Sequence, residues 1–283
     1  MPELPEVESA RAAIERAALG RKIADVDDSD TYECRPHAPG EIREALVGRS
    51  LVSAQRQGKF MWCETSGIGR SRTAGPELAI HLGMSGRLVI TGPDGPGGGP
   101  ATQTQGGDYL GTADPKGVLH PRNPAWNRFT LVFADGGELR LFDKRRLGRV
   151  RLDPDRSALG PDAQQITLAQ FRDRLGRGSS AVKARLLDQS VVAGVGNLLA
   201  DETLWQARIS PQRPADELDD DELARLRRAL RRATREAITN GGVHTGVFIA
   251  HRTRAGHCPR CGAEVHRATV GGRTTFWCPA EQE

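Results

Sequence analysis

Residues 21–152 constrain the fold most, because short alternating apolar segments follow one another there without a helical pattern between them. Residues 51–55, 58–62 and 77–82 are candidate strands. Phe129, Leu131 and Phe133 alternate with smaller or polar residues, a turn follows at 135–137, and alternation resumes at Leu139 and Leu141. Strands joined directly by turns favour an antiparallel arrangement. We therefore predict an N-terminal antiparallel β-sandwich.

The pattern becomes helical after about residue 153. Thr167 with Gln170 forms a capping-box pattern, and Asp219 with Glu222 marks the start of a helix over 220–239. Helical spacing also occurs at 6–19, 181–188 and 197–207. We predict an α+β protein in which helices flank the sandwich and a helical domain follows it. The predicted domains are 1–153, 154–253 and 254–283.

The segment 91–127 interrupts the strand pattern. It opens on the sequence Gly-Pro-Asp-Gly-Pro-Gly-Gly-Gly-Pro, which offers no side chains for a core. We predict a flexible surface loop there.

Charge indicates the class of partner. The 283 residues carry a net charge of +4 and have a sequence pI of about 9.0. A mild basic excess fits an anionic partner such as nucleic acid. The sequence shows no signal-peptide pattern and no apolar run long enough to span a bilayer. We expect a cytoplasmic protein that makes no membrane contact.

Three cysteines crowd near the C-terminus, at Cys258, Cys261 and Cys278. A Cys-x-x-Cys pair, with a further cysteine beyond a hairpin, is typical of a structural zinc site. We therefore predict bound Zn²⁺ rather than disulfides.

The chain opens on Met1-Pro2-Glu3. Methionine before proline is usually removed, which would leave Pro2 as a free secondary amine. Such an amine attacks aldehydic carbons, and α-amino groups titrate near ~8, so part of it is unprotonated at neutral pH. Glu3 lies next in the chain and is placed to move protons. The alternative is an ordinary helix start in which proline and acidic residues have no chemical role.

Four further motifs carry polar or small residues at turns. Lys59 ends a predicted strand beside glycine, and Met84 lies in a His-Leu-Gly-Met-Ser-Gly turn. A second loop spans 143–148. The glycine-containing turn 192–197 precedes a helix, whose N-terminal N–H groups form a natural phosphate site. There Asn197 either caps the helix or binds a phosphate.

These motifs, taken in order over nearly the whole chain, resemble the formamidopyrimidine-DNA glycosylase and endonuclease VIII family. The turn and helices over 183–202 give the most specific match. The resemblance implies a helix–two-turn–helix domain followed by a β-hairpin zinc finger. It also implies a bifunctional DNA glycosylase and lyase of base excision repair, which cleaves the strand by β- and δ-elimination through a Schiff base.

The resemblance also implies roles for single residues. Pro2 would be the nucleophile, Glu3 the acid that assists sugar-ring opening, and Lys59 a contact to the DNA backbone near the lesion. The remaining roles concern the bases and the phosphates. Met84 and Leu147 would fill the gap left by an everted nucleotide, Arg145 would face the orphaned base, and Asn197 and Arg273 would bind phosphates. Leu147 departs from the phenylalanine of many members, which leaves the opposite-base preference open.

The finger departs from the family in its ligands. Members carry four cysteines, whereas Glu281 stands here at the fourth position. Zinc accepts carboxylate oxygen, so Glu281 is one candidate ligand. His257 or His266 could replace it, or the finger could hold no metal. We favour retained zinc with Cys258, Cys261, Cys278 and Glu281.

The expected partner is damaged double-stranded DNA, bound by a monomer that acts at the bacterial nucleoid. Residues 240–251 lead almost directly to the finger, without the long loop that in some members closes over an everted purine. Oxidised pyrimidines, ring-opened purines, abasic sites and bulkier adducts therefore stay open as substrates. The alternative functions are a DNA-binding protein that recognises lesions without cutting, and an unrelated zinc-bearing nucleic-acid module.

Overall fold

The computed structural model describes residues 2–69, 73–93, 103–107 and 123–283. The chain divides into two compact units. The first comprises Met1–Pro2 and Glu6–Asp155, and the second comprises Glu3–Pro5 and Arg156–Glu283. The division into three domains stays a prediction, and the C-terminal hairpin is counted here with the second unit.

The first unit is built from two antiparallel sheets. One sheet has the order β1-β7-β8-β5-β6 and the other β2-β3-β4-β9. The strands are β1 (Ile23–Asp27), β2 (Leu51–Gln57), β3 (Phe60–Thr65), β4 (Leu78–His81), β5 (Arg87–Thr91), β6 (Gln103–Gly107), β7 (Asn127–Phe133), β8 (Glu138–Phe142) and β9 (Arg149–Leu152). The helices are α1 (Leu4–Ala17) and α2 (Glu41–Leu46).

Alternation along the strands explains the core of this unit. Phe129, Leu131 and Phe133 are fully buried on β7, and Leu139 and Leu141 on β8 pair with that strand. They join one apolar cluster with buried residues of the other sheet, such as Met61 and Ile80. The predicted antiparallel sandwich and its 129–141 hairpin are confirmed.

Two elements of the first unit differ from the prediction. Residues 103–107, expected in a loop, form β6, which pairs with β5 through Leu88 and Gly106. A Cβ atom on Gly106 would lie 2.4 Å from the Ser9 carbonyl oxygen, so glycine lets this edge strand approach α1 closely. The other parts of that predicted loop, 94–102 and 108–122, lie outside the described residues.

The second difference is the short helix α2, which interrupts the strand region. The Asp28 carboxylate accepts hydrogen bonds from the N–H groups of Gly40, Ile42 and Arg43 at its start. Ile42 and Leu46 are fully buried. A carboxylate twelve or more residues away thus supplies the cap that the local sequence lacks.

The second unit is helical and ends in a hairpin. Its elements are α3 (Leu168–Leu175), α4 (Val182–Leu187), α5 (Asn197–Ala207), α6 (Asp220–Asn240), β10 (His266–Val270) and β11 (Arg273–Trp277). Both predicted capping boxes are present, and Gly241 ends α6 at a φ of 91°. Apolar residues of all four helices share one core, and Trp205, Phe248 and Phe276 pack with two cysteines in a smaller one. Within the described residues, no helix combines the length and apolar character needed to cross a bilayer.

Candidate active site and nucleic-acid interface

The N-terminal segment places a buried carboxylate at the start of α5. Pro2 is buried, and the Glu3 side chain that follows it is only 1% exposed. Glu3 oxygens accept hydrogen bonds from the N–H groups of Gly196 (2.9 Å), Leu198 (2.9 Å) and Leu199 (3.1 Å). The positive end of a helix favours a carboxylate there. Three backbone donors therefore hold the Glu3 carboxylate in one orientation.

This arrangement corrects the phosphate site expected at the same turn. The N–H groups of Gly196, Leu198 and Leu199 already donate to Glu3, so they are not open to a phosphate. A Cβ atom on Gly196 would lie 2.2 Å from the Glu3 carboxyl carbon, which explains why glycine occupies the position. The sequence could not show this, because the partners lie 193 or more residues apart.

Asn197 is the first residue of α5, and the capping position belongs to Gly196. The alternative that Asn197 caps the helix is therefore wrong. Its side-chain amide donates instead to the Thr274 carbonyl at 2.9 Å, on strand β11. Its Oδ1 atom is buried and accepts no hydrogen bond from any residue that the structure describes. Asn197 thus ties the hairpin to α5, and its phosphate contact stays a prediction.

Two loops of the first unit bring Met84 and Leu147 together. Gly83 has a φ of 59°, and a Cβ atom there would lie 2.4 Å from the backbone carbon of Leu147. Only glycine allows both the left-handed backbone and this close approach. Met84 is 39% exposed beside it, Leu147 is half-buried and Arg145 is exposed. The structure therefore gathers the three residues predicted to contact the bases.

The Asp143 carboxylate fixes the second of these loops. It accepts hydrogen bonds from the N–H groups of Arg145 (3.0 Å), Leu147 (2.8 Å) and Gly148 (2.9 Å). The Ser85 hydroxyl of the neighbouring loop donates to it at 2.8 Å. Each charge-assisted bond of this kind contributes about 1.5–3 kcal/mol when buried. Asp143 is a positioning residue that we did not single out from the sequence, although aspartate before a tight turn often binds its own backbone.

Lys59 lies half-buried between β2 and β3, on the same sheet as His81. Burial lowers the pKa of His81, and the charges of Lys59, Arg149 and Arg151 lower it further. A cavity of about 270 Å³ is lined by His81, both arginines, Phe60 and Ala79. The cations repel one another, so an anion placed among them is stabilised.

A second cationic group surrounds Tyr32, which is 41% exposed. The guanidinium carbons of Arg35 and Arg149 lie 4.2 and 4.8 Å from the centre of its ring. Hydrogen bonds from Arg149 and Arg35 lower the pKa of the Tyr32 hydroxyl. In the described part of the chain neither arginine forms an ion pair with a carboxylate. Their positive charge is available to an external anion such as a phosphodiester.

A buried ion group anchors the C-terminal hairpin to α4 and α5. Lys183 and Asp201 are both inaccessible to solvent, with Nζ 2.6 Å from Oδ1. Burial lowers the pKa of Lys183, while the charge of Asp201 opposes that shift. Arg252 donates to the other Asp201 oxygen at 2.8 Å, and Lys183 donates to the Thr275 hydroxyl at 2.7 Å. Breaking such a pair costs about 3–5 kcal/mol.

Arg273 begins the anchored strand β11 and is exposed. The carbonyl of the next residue, Thr274, accepts a hydrogen bond from Asn197. Arg273 and Asn197 are thus held near one another in the second unit, as a shared phosphate contact would require.

Three cysteines of the hairpin form a candidate metal centre. The sulfurs of Cys258, Cys261 and Cys278 all lie within 4.8 Å of one another, and the last two are 3.4 Å apart. Three thiolates at this separation suit zinc, which binds sulfur at about 2.3 Å. The Trp205 indole donates to the Cys258 sulfur at 3.3 Å. The residues present therefore fit a structural zinc ion with three sulfur ligands.

The expected fourth ligand is not placed with them. The Glu281 carboxylate lies 3.0 Å from Arg260 Nη1 and 3.5 Å from Arg208 Nε. Two guanidinium groups compete for the oxygens that zinc would need. Among the described residues, no histidine or carboxylate joins the three sulfurs. This geometry does not support Glu281, His257 or His266 as the fourth ligand.

Comparison with protein families matches most of the chain. Residues 1–150 match the formamidopyrimidine-DNA glycosylase N-terminal domain, and residues 158–248 match the H2TH domain of the same enzymes. A formamidopyrimidine-DNA glycosylase of Roseiflexus is 33% identical, over 99% of this chain and 98% of its own length. The Arabidopsis thaliana protein of that name is 31% identical, over 100% of this chain and 71% of its own.

Solved structures agree with the sequence matches. The Lactococcus lactis protein bound to DNA containing an abasic site superposes with a TM-score of 0.77 at 25% identity, covering 99% of both chains. The complex of the same Lactococcus lactis protein with DNA containing an oxidised pyrimidine superposes with a TM-score of 0.78 at 26% identity, covering 100% of both chains. A complex with DNA containing an N7-benzyl-Fapy-dG gives the same values.

Proposed function

The chain belongs to the formamidopyrimidine-DNA glycosylase family, and we propose that it excises damaged bases from duplex DNA and cleaves the strand through a Schiff base on Pro2. The observation that carries this proposal is the Glu3 carboxylate, which is buried and held by three backbone donors directly after the proline. A fixed proton-transferring group next to a potential amine nucleophile is what the reaction requires.

The chemistry begins once Met1 is removed. The secondary amine of Pro2 attacks C1′ of the damaged nucleotide, the C1′–N bond to the base breaks, and the base leaves with a proton taken from water. The Glu3 carboxylate accepts the proton released from the Pro2 nitrogen and transfers it to the ring oxygen, so the sugar opens to an iminium. Loss of the C2′ proton then expels the 3′ phosphate, and a second elimination expels the 5′ phosphate. Hydrolysis of the remaining iminium returns free Pro2.

Residues of the two loops act on the helix rather than on the sugar. Met84 and Leu147 occupy the space of the everted nucleotide, and Arg145 contacts the base that has lost its partner. Eversion costs a few kcal/mol, and apolar wedges offset part of that cost. Lys59, Asn197 and Arg273 contact phosphates and hold the damaged strand in register.

A sharp test compares one polypeptide before and after N-terminal processing. A cleavable extension ahead of Pro2 turns its nitrogen into a tertiary amide, which cannot attack. We expect no borohydride-trapped adduct with abasic-site DNA before cleavage of the extension and efficient trapping after it. Equal trapping in both forms would rule out Pro2 as nucleophile. DNA binding without an adduct in the processed form would favour the non-catalytic lesion-recognition protein.

We also propose that the three hairpin cysteines hold a structural zinc ion whose fourth ligand is not Glu281. Zinc bound by Cys258, Cys261 and Cys278 would fix the knuckle of the hairpin; it takes no part in the reaction. Cys258→Ser should release the metal and weaken DNA binding, while Glu281→Gln should retain it. Metal content of both purified variants, measured by mass spectrometry, decides the assignment. Loss of zinc from Glu281→Gln would restore the carboxylate as a ligand.

A further inference from the structure

Glu33 is a buried carboxyl group that the proposed reaction does not use. It lies after β1, is inaccessible to solvent, and neither of its oxygens accepts a hydrogen bond from a donor group among the described residues. Its backbone carbonyl accepts a hydrogen bond from Val150 in β9 at 2.9 Å, so its position is fixed. A buried polar group without a partner costs about 1–3 kcal/mol, which calls for a reason.

The group lies directly beneath the loop that carries Arg145 and Leu147. A Cβ atom on Gly148, which ends that loop, would be 2.7 Å from Glu33 Oε2. The Asp143 carboxylate faces Glu33 and is the acceptor for four donors of the two loops. Two carboxyl groups in contact need one shared proton. Because the Asp143 carboxylate already accepts four hydrogen bonds, the shared proton belongs on Glu33.

The charges around Glu33 agree with that assignment. Burial, which is the largest cause, and the neighbouring carboxylates of Asp143 and Asp30 together raise the pKa of Glu33 from its ordinary value of 4.5 to about 8. Arg128 on β7 opposes the shift. Asp30 itself is paired with Arg146 at 2.7 Å and lies 3.6 Å from Arg128. The neighbouring Cys34 thiol stays neutral, because burial raises its pKa to about 12.

We propose that Glu33 is a positioning residue for opposite-base recognition: in its protonated form it donates a hydrogen bond to Asp143 and holds the 143–148 loop, with Arg145, in the orientation that contacts the orphaned base. Loss of the proton to solvent leaves two facing carboxylates, which repel one another and displace the loop. Discrimination between opposite bases then falls, while the chemistry at Pro2 is untouched. The inference rests on the proposed function only through the role of Arg145.

The test measures discrimination rather than rate alone. Equilibrium binding of duplexes with a stable abasic-site analogue opposite each of the four bases is followed by fluorescence anisotropy from pH 6.5 to 9. The ratio of the highest to the lowest affinity among the four duplexes should fall as the pH rises, with a midpoint near pH 8. The expected fall is about tenfold, which corresponds to the loss of one base contact. Because this readout needs no catalysis, it remains valid if the proposed lyase chemistry fails.

Glu33→Gln provides the decisive variant. Its amide donates to Asp143 at every pH, so discrimination should persist at pH 9, whereas Glu44→Gln on the exposed face of α2 should retain the wild-type profile. Trapping on single-stranded abasic DNA, which has no opposite base, should show the same pH profile in all three proteins. A flat wild-type binding ratio, or an unchanged midpoint in Glu33→Gln, would overturn the proposal. If Glu33→Gln does not fold, the wild-type profile alone decides.

Discussion

The segment that begins at Pro2 and the two loops around Met84 and Leu147 fix their functional groups in different ways. In the first, the Glu3 carboxylate itself is 1% exposed and held by three backbone donors. In the loops, the backbone is held by Asp143, while Met84 is 39% exposed. The group proposed for proton transfer is thus fixed by its own hydrogen bonds. Groups proposed for contact with bases are fixed only through the chain that carries them.

The largest effect is expected where the functional group itself is altered. Glu3→Gln replaces one acceptor oxygen with an amide that faces a backbone N–H donor, and it removes the proton-transferring acid. Single-turnover base release should fall by about 10²–10⁴-fold. Glu44→Gln, an exposed change on α2, should leave the rate unaltered. A Glu3→Gln rate within a few-fold of wild type would show that the two regions do not differ as described.

The loops should respond more strongly to a backbone change than to loss of a side chain. Gly83→Ala introduces a left-handed alanine and a Cβ atom 2.4 Å from Leu147, so both loops must move. Gly136→Ala is the matched control, because it also has positive φ (86°) but no atom within 4 Å. Both should lose about 1–2 kcal/mol from the backbone strain. Gly83→Ala should lose about 1–3 kcal/mol more and bind abasic duplex less tightly. Equal thermal stability and affinity in the two variants would contradict the packing of these loops.

Truncation of an exposed side chain should have a smaller effect. Met84→Ala removes an apolar wedge but leaves the loop in place. Trapping on duplex abasic DNA should slow about tenfold, because part of the unstacking cost is no longer offset. Single-stranded abasic DNA needs no eversion from a duplex and should react at the wild-type rate. Equal slowing on both substrates would place Met84 in the chemistry instead.

The smallest effect concerns the cations around Tyr32. Arg35→Ala and Arg149→Ala should each reduce the slope of log affinity against log salt concentration by about 1 if each guanidinium binds one phosphate. Arg43→Ala removes an exposed arginine that is already paired with Asp25 and should leave the slope unchanged. Identical slopes in all three variants would mean that the Tyr32 cluster does not contact DNA.

Local features of the fold could be predicted from the sequence, whereas distant contacts could not. The capping boxes at Thr167 and Asp219 were predictable because both partners lie within three residues. Strand β6 was missed because its stability depends on pairing with β5 and on the closeness of Gly106 to α1. The cap supplied by Asp28 to α2 was missed for the same reason.

The same distinction between local features and distant contacts applies to the candidate site. The motifs in the sequence predicted Pro2, Glu3, Met84, Arg145 and the hairpin cysteines as site residues, and these roles stay predictions. The sequence could not show that Glu3 occupies the amides at the start of α5, nor that arginines engage Glu281. Glu33 gave no signal, because its importance comes from burial and from partners that only the folded chain brings together. Asp143 lies in a predicted loop, but its contact with Ser85 of the neighbouring loop is likewise visible only in the folded chain.

The most direct measurement locates the covalent bond. Protein reduced with borohydride on abasic-site DNA is digested, and mass spectrometry identifies the peptide that carries the deoxyribose remnant. The account predicts the remnant on the nitrogen of Pro2, in a chain from which Met1 has been removed. A remnant on Lys59, or strand cleavage by protein that still carries Met1, would contradict it.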